Sequence, residues 1–147
     1  MIHSDLALLD ESIRDKAASA LVSMRGDSIL QSLGVQEIQV HETLRDIAVQ
    51  MAYYSRNRMS IADVKWMYKA AGLYEISSVD AGKPITWTLE SKHLLGKAID
   101  IVPYKNGKPW WVAPLEVWLR MGELGEANGL TWGGRWKHTD NPHYEIA

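Results

Sequence analysis

Ser91-Lys92-His93-Leu94-Leu95-Gly96-Lys97-Ala98-Ile99-Asp100-Ile101-Val102 is the stretch whose reading decides the fold. From Ala98 onward it is apolar except for one carboxylate, the pattern of a central strand, so a sheet should run through the middle of the chain. Pleat parity puts Ile99 and Ile101 on one face and Asp100 on the other. A lone carboxylate in such a strand is costly without a strong partner, and a cation is one. His93 lies seven residues earlier, and Gly96 lets the chain turn between them. One side chain can then sit on a loop and the other on the strand, aimed at one point. A catalytic zinc takes three imidazole or carboxylate ligands and leaves a fourth position for water. A second stretch, Asp140-Asn141-Pro142-His143-Tyr144-Glu145, offers the third ligand in His143. The segment His143 to Ile146 is strand-like, with His143 and Glu145 on one face. Taken alone, these residues leave two readings open: a metal site, or a hydrogen-bonded core His93 beside a structural Asp100.

Working outward, Leu6, Leu9, Ile13, Ala17, Leu21 and Met24 recur at helical spacing and predict a helix over 5–25 that ends at Gly26. Residues 34–41 alternate as a strand. A helical pattern then runs through Ile47, Met51 and Tyr54. Ser60, with Asp63 at the third helical position, caps a second helix whose apolar stripe is Ile61, Val64, Met67, Tyr68 and Ala71, stopped by Gly72. Residues 73–90 read as two extended segments about a turn at Asp80-Ala81-Gly82-Lys83-Pro84, the second carried by Ile85, Trp87 and Leu89. Asn106-Gly107 marks a turn, and Pro114 opens a helix through Leu115, Trp118, Met121 and Leu124 that closes at Asn128-Gly129. The expected architecture is α+β: a small, largely antiparallel sheet with helices packed on it and a metal on its open face. One catalytic domain is expected over 1–147.

Composition bounds the remaining possibilities. The 147 residues include no cysteine, so disulfides and thiolate ligands are excluded and any metal is held by His, Asp or Glu. A net charge of -2 argues against nucleic-acid binding. No apolar run reaches the roughly 20 residues needed to cross a bilayer. The N-terminus lacks the basic leader and apolar core of a secretory signal, which predicts synthesis in the cytoplasm. A monomer is expected.

Ser91, His93, Gly96, Ala98 and Asp100 form Ser-x-His-x-x-Gly-x-Ala-x-Asp, which resembles the signature of zinc peptidases of the D-alanyl-D-alanine carboxypeptidase and L-alanyl-D-glutamate endopeptidase family. The runs Thr86 to His93 and Ala98 to Tyr104 look most like the phage endolysin branch, and Trp132-Gly133-Gly134-Arg135-Trp136 with Asp140-x-Pro142-His143 resemble its C-terminal signature. The likeness covers roughly residues 38–147. It implies one zinc per chain, held by His93, Asp100 and His143. It also implies Asp140 as general base and, through Thr43-Leu44-Arg45 with Gln50 and Tyr54, Arg45 facing the oxyanion. The implied activity is hydrolysis of a peptidoglycan stem peptide, at the L-alanyl-D-glutamate bond, by an endolysin that reaches the wall after release from the cytoplasm. A D-Ala-D-Ala carboxypeptidase or dipeptidase is the alternative within the family. A zinc-binding recognition module without catalysis is the alternative outside it.

Other residues near these motifs carry weaker expectations. Glu145 suits a partner that orients an imidazole. Ser91 suits a hydrogen bond that fixes its loop, since nothing pairs it with a base. His41 stands where it could border the cleft. His138 is five residues before His143, but a three-ligand site is already filled without it. Trp87 and Trp132 are candidates for a substrate groove, against the default of core packing.

Overall fold

A computed structural model describes all of residues 1–147. Its centre is β2 (Ala98–Lys105), flanked by β1 (Glu37–Glu42) and β5 (His143–Glu145). The short β4 (Thr131–Trp132) extends the sheet beyond β5, and β3 (Lys108–Pro109) returns along β2. All of these pairings are antiparallel. The turn from β2 to β3 places Asn106 at φ 55° and Gly107 at φ 71°, the two positive values a tight hairpin needs.

The helices follow from caps and stripes. α1 (Glu11–Arg25) buries Ile13, Ala17, Leu21 and Met24, the stripe expected from spacing, but Leu6 belongs to a separate 3-10 turn over Leu6–Leu8. Asp5 accepts from the Ala7 amide and closes that turn, so the helix starts six residues later than the sequence pattern suggests. α2 (Ser28–Ser32) is capped by Asp27, whose carboxylate also takes two bonds from Arg120 on α6 (Leu115–Ala127). α1 and α6 cover the sheet face that carries Ile99, Ile101 and Tyr144, and this makes the larger core.

A smaller core lies apart from it, in α3 (Ile47–Ser55), α4 (Ile61–Ala70) and α5 (Ser78–Ala81). Val49, Ala52, Val64, Tyr68, Ala71, Ile76 and Ala81 fill it. Ser60 caps α4 through the Asp63 amide, as its sequence indicates. On α3 the buried side differs from the expected one. Ile47 and Met51 face solvent, and Val49, Gln50 and Ala52 turn inward.

Residues 73–90 depart most from the sequence reading. Ser77 caps the short α5 within this stretch, and residues 85–89 form no strand. Their alternation predicts a half-buried ladder, yet Ile85, Trp87 and Leu89 are all exposed. The backbone is held by side chains instead: Gln50 donates to the Thr88 carbonyl and Arg58 to that of Thr86. With those carbonyls taken from the side, no neighbouring strand is required.

α6 lies flat on the sheet because two of its residues lack side chains. A Cβ at Gly122 would stand 2.3 Å from the Trp132 ring, and one at Gly125 would stand 2.3 Å from that of Tyr144. Gly125→Ala should therefore force the helix off the sheet and cost about 1–3 kcal/mol, the usual range for overpacking. Urea denaturation monitored by Trp fluorescence measures it; an unchanged midpoint would mean that Tyr144 moves aside freely.

Candidate metal centre

β2 and β5 are in register with Ala98 opposite Glu145 and Asp100 opposite His143. Residues paired this way share a face, so Asp100, His143 and Glu145 all stand on the side of the sheet away from Ile99 and Ile101. His93 reaches the same point from a 3-10 turn over Lys92–Leu95. Ser91 caps that turn by accepting from the His93 amide, and Gly96 leaves it at φ 67°. A Cβ on Gly96 would also press the Leu8 carbonyl at 2.9 Å.

His93 Nε2 lies 3.1 Å from Asp100 Oδ1 and 3.2 Å from His143 Nδ1, and His143 Nδ1 lies 3.3 Å from Asp100 Oδ1. A tetrahedral zinc with bonds of about 2.0–2.1 Å separates its ligand atoms by roughly 3.3–3.4 Å, nearly the edges of this triangle. The remaining ring nitrogens decide where the protons are. His93 Nδ1 donates to the Thr43 carbonyl at 2.8 Å, and His143 Nε2 donates to Glu145 Oε1 at 2.9 Å. A carbonyl and a carboxylate only accept, so each imidazole turns a lone pair toward the carboxylate of Asp100. Three acceptor atoms converging on one point fit a cation, and His93, Asp100 and His143 are a group able to hold one.

The electrostatics carry the same requirement. Against the cost of burial, the two imidazoles hold the Asp100 carboxyl well below the usual carboxylate range. Burial opposes charge on His143, but its hydrogen bonds to Asp100 and Glu145 outweigh this and push it up to about 9.

Asp140 stands at the rim, its Oδ2 3.9 Å from His143 Nδ1, with the side chain 49% exposed. Burial, and next the like charge of Asp100, raise its carboxyl above the ordinary value. Its position depends on two residues with bare backbones. The Asp140 amide bonds the Gly133 carbonyl at 2.9 Å. A Cβ on Gly133 would meet the Asp140 carbonyl at 2.6 Å, and one on Gly134 would meet the Trp132 ring at 2.1 Å.

Arg45 stands on the segment after β1, close enough to feel the charges of Asp100 and Asp140. A bulge between Val40 and Glu42 brings Glu42 opposite Asp100. Arg45 then clamps the buried Glu42 carboxylate through Nε at 2.6 Å and Nη2 at 2.8 Å, and donates through Nη1 to Gln50 at 2.7 Å. Its guanidinium lies over the Tyr53 ring, and its amide bonds the His93 carbonyl.

The remaining candidates divide. Glu145 is beside His143 and also pairs with Lys92. His41 stacks edge-on against Trp111. Trp87 is 63% exposed and faces the ring of His138, which stays outside the metal group. Trp132 is 1% exposed, packed in the larger core with Nε1 on the Asn141 carbonyl, so it supports the Asp140 loop from beneath and lines no groove. Trp136 flanks His143, its ring centroid 5.1 Å from that of the imidazole. The partner roles of Glu42 and Lys92 had no sequence signal, and Thr43 stood in a family-like segment that gave no hint of its carbonyl contact, because a bulge, a long-range ion pair and a carbonyl bond leave no periodicity.

Comparison with known proteins agrees with this geometry. Residues 85–146 match the family model Peptidase_M15_4, described as D-alanyl-D-alanine carboxypeptidase. No curated protein matches the sequence. Among solved structures, the Serratia marcescens L-Ala D-Glu endopeptidase ChiX is similar at a TM-score of 0.57 and 21% identity, covering 97% of this chain and 83% of its own. A mutant of the vancomycin resistance D,D-pentapeptidase VanY from a VanB-type resistance cassette, in complex with Zn(II), is similar at 0.52 and 19% identity, covering 94% and 72%. The matched segment contains every atom of the converging triangle, so His93, Asp100 and His143 all lie in the part of the chain that is similar to this family.

Proposed function

We propose that the chain hydrolyses a peptide bond in the peptidoglycan stem, at the L-alanyl-D-glutamate position, as the endolysin of a phage. The observation that carries hydrolysis is the convergence of His93, Asp100 and His143 on one point with a free carboxylate, Asp140, beside it. A recognition module needs the first three and has no use for the fourth. The choice of bond is supported by the likeness of residues 86–104 to the endolysin branch and by a fold shared with ChiX. The family description and the fold shared with VanY favour a second reading, removal of a terminal D-alanine.

Bound zinc would supply Lewis acidity, to a water and to the scissile carbonyl. His93, Asp100 and His143 would hold it, with Asp140 beside them at the rim. Asp140, raised above the ordinary carboxylate range, accepts the proton of the attacking water and returns it to the leaving amine. Arg45 offsets the negative charge developing on the carbonyl oxygen, held in orientation by Glu42 and Gln50. Trp87 and Trp136, both exposed, border the path of the substrate. All of residues 1–147 act as one catalytic unit. No helix is long and apolar enough to cross a membrane. The endolysin reading places synthesis in the host cytoplasm and release to the wall at lysis.

Three experiments test this reading. Elemental analysis should find about one zinc per chain in the wild type and little in His93→Ala or His143→Ala; full zinc in both variants removes the site. Asp140→Asn should keep its zinc while kcat on purified sacculi falls by about 10²–10⁴, the usual worth of a positioned base, and undiminished turnover would take Asp140 out of its role. Mass spectrometry of digested sacculi separates the two bonds. A new N-terminal D-glutamate supports the endopeptidase, whereas loss of terminal D-alanine alone establishes the carboxypeptidase.

A further inference from the structure

Lys92 immediately precedes a metal-facing histidine, yet its side chain serves the other one. Its ammonium lies 2.8 Å from Glu145 Oε2, while Glu145 Oε1 accepts from His143 Nε2 at 2.9 Å. The two carboxylate oxygens are thus divided, one for the cation and one for the imidazole. We infer that Lys92 is a positioning residue for the metal: by fixing the Glu145 carboxylate it holds His143 in the tautomer and ring orientation that aim Nδ1 at the ion. This rests on the reading of His143 as a ligand.

The 3-10 turn over Lys92–Leu95 then governs both imidazoles. His93 is placed directly, with its Nδ1 proton on the Thr43 carbonyl. His143 is placed through Lys92 and Glu145. Glu145 is only partly exposed, and without Lys92 its one remaining ion-pair partner is His143 itself; its carboxylate is then free to rotate and the bond to His143 loses its fixed geometry.

A plain structural role is the competing account, since Lys92 also donates to the Ile146 carbonyl near the end of the chain. That tie is not the only one there. β5 stays paired with β2 at three successive positions, and the Ile146 amide bonds the Lys97 carbonyl at 3.2 Å. The strand should therefore survive loss of the ammonium, and the two accounts predict different measurements.

The test uses the full chain and zinc alone. Chelator competition gives the zinc dissociation constant, thermal melting of the zinc-free protein reports the fold, and 15N imidazole spectra of the loaded protein report the His143 Nε2 proton. Glu145→Ala should weaken zinc by about 10–100-fold, as loss of a ligand's hydrogen-bond partner does. Lys92→Met should weaken it by about tenfold, at the lower edge of that range, and broaden the Nε2–H signal with little change in melting; Lys92→Arg should restore most of both. Unchanged zinc affinity in Lys92→Met overturns the inference, as does a fall matched by a lower melting temperature with the Nε2–H signal intact. Wild-type zinc affinity in His143→Ala would overturn the ligand assignment and this inference with it, a result distinct from failure at Lys92 alone.

Discussion

Three acceptor atoms aimed at one point, with both available imidazole protons already committed elsewhere, form the constraint on which the rest of the structure depends. His93 gives its proton to Thr43 and His143 gives its own to Glu145. The carboxylate of Asp100 completes the set from the central strand. Such an arrangement is unfavourable on its own, since buried lone pairs repel and a buried carboxylate requires compensation. The fold maintains it through register: Asp100 faces His143 across β2 and β5, and Glu42 faces Asp100 across the bulge in β1. A slip of one residue in either pairing would turn these side chains into the core that α1 and α6 form on the other face.

The charges near that point give the reason for a divalent ion in particular. Four carboxylates, those of Glu42, Asp100, Asp140 and Glu145, are set against two fixed cations, Arg45 and Lys92. Each fixed cation is held by one carboxylate, Arg45 by Glu42 and Lys92 by Glu145. Asp100 and Asp140 remain, and a divalent ion would balance their two charges. The same crowding of charge shows in the titrating groups: hydrogen bonds to Asp100 and Glu145 push His143 up against the cost of its burial, and burial with the like charge of Asp100 raises Asp140.

The sequence placed these three residues because each is coupled to a local pattern, but those patterns left a structural reading open and the family resemblance chose the metal. Asp100 interrupts an apolar strand, His93 stands before a glycine that must turn, and His143 shares a strand face with Glu145. Antiparallel pairing and the helices that pack on the sheet were readable for the same reason, as periodicities of two and of three to four. What was not legible came from tertiary contacts that override such periodicities. Residues 85–89 alternate like a strand but have their carbonyls satisfied by Gln50 and Arg58. Trp132 looked as available as Trp87, yet two glycines on α6 and beside it create the space that buries it. Ile47 and Met51 suggested the buried side of α3, but the polar Gln50 took that side because Arg45 and Thr88 needed it.

Gln50 shows how the smaller core is coupled to the metal. From α3 its side-chain oxygen accepts from Arg45, and its nitrogen donates to the Thr88 carbonyl on the segment that leads into Ser91 and His93. Arg45 in turn bonds the His93 carbonyl through its own amide, and the preceding Thr43 carbonyl holds the His93 ring. One fully buried amide therefore links α3, the segment after β1 and the rim that carries Trp87. The helical lobe is not merely attached beside the sheet: a shift of α3 would move Arg45 and the Thr86–Thr88 rim together relative to Asp100, which the central strand keeps in place. This explains why a polar residue occupies the inward side of α3. An apolar side chain there would fill the space equally well, but would leave Arg45 Nη1 without its acceptor and the Thr88 carbonyl without its Gln50 donor at the edge of the site.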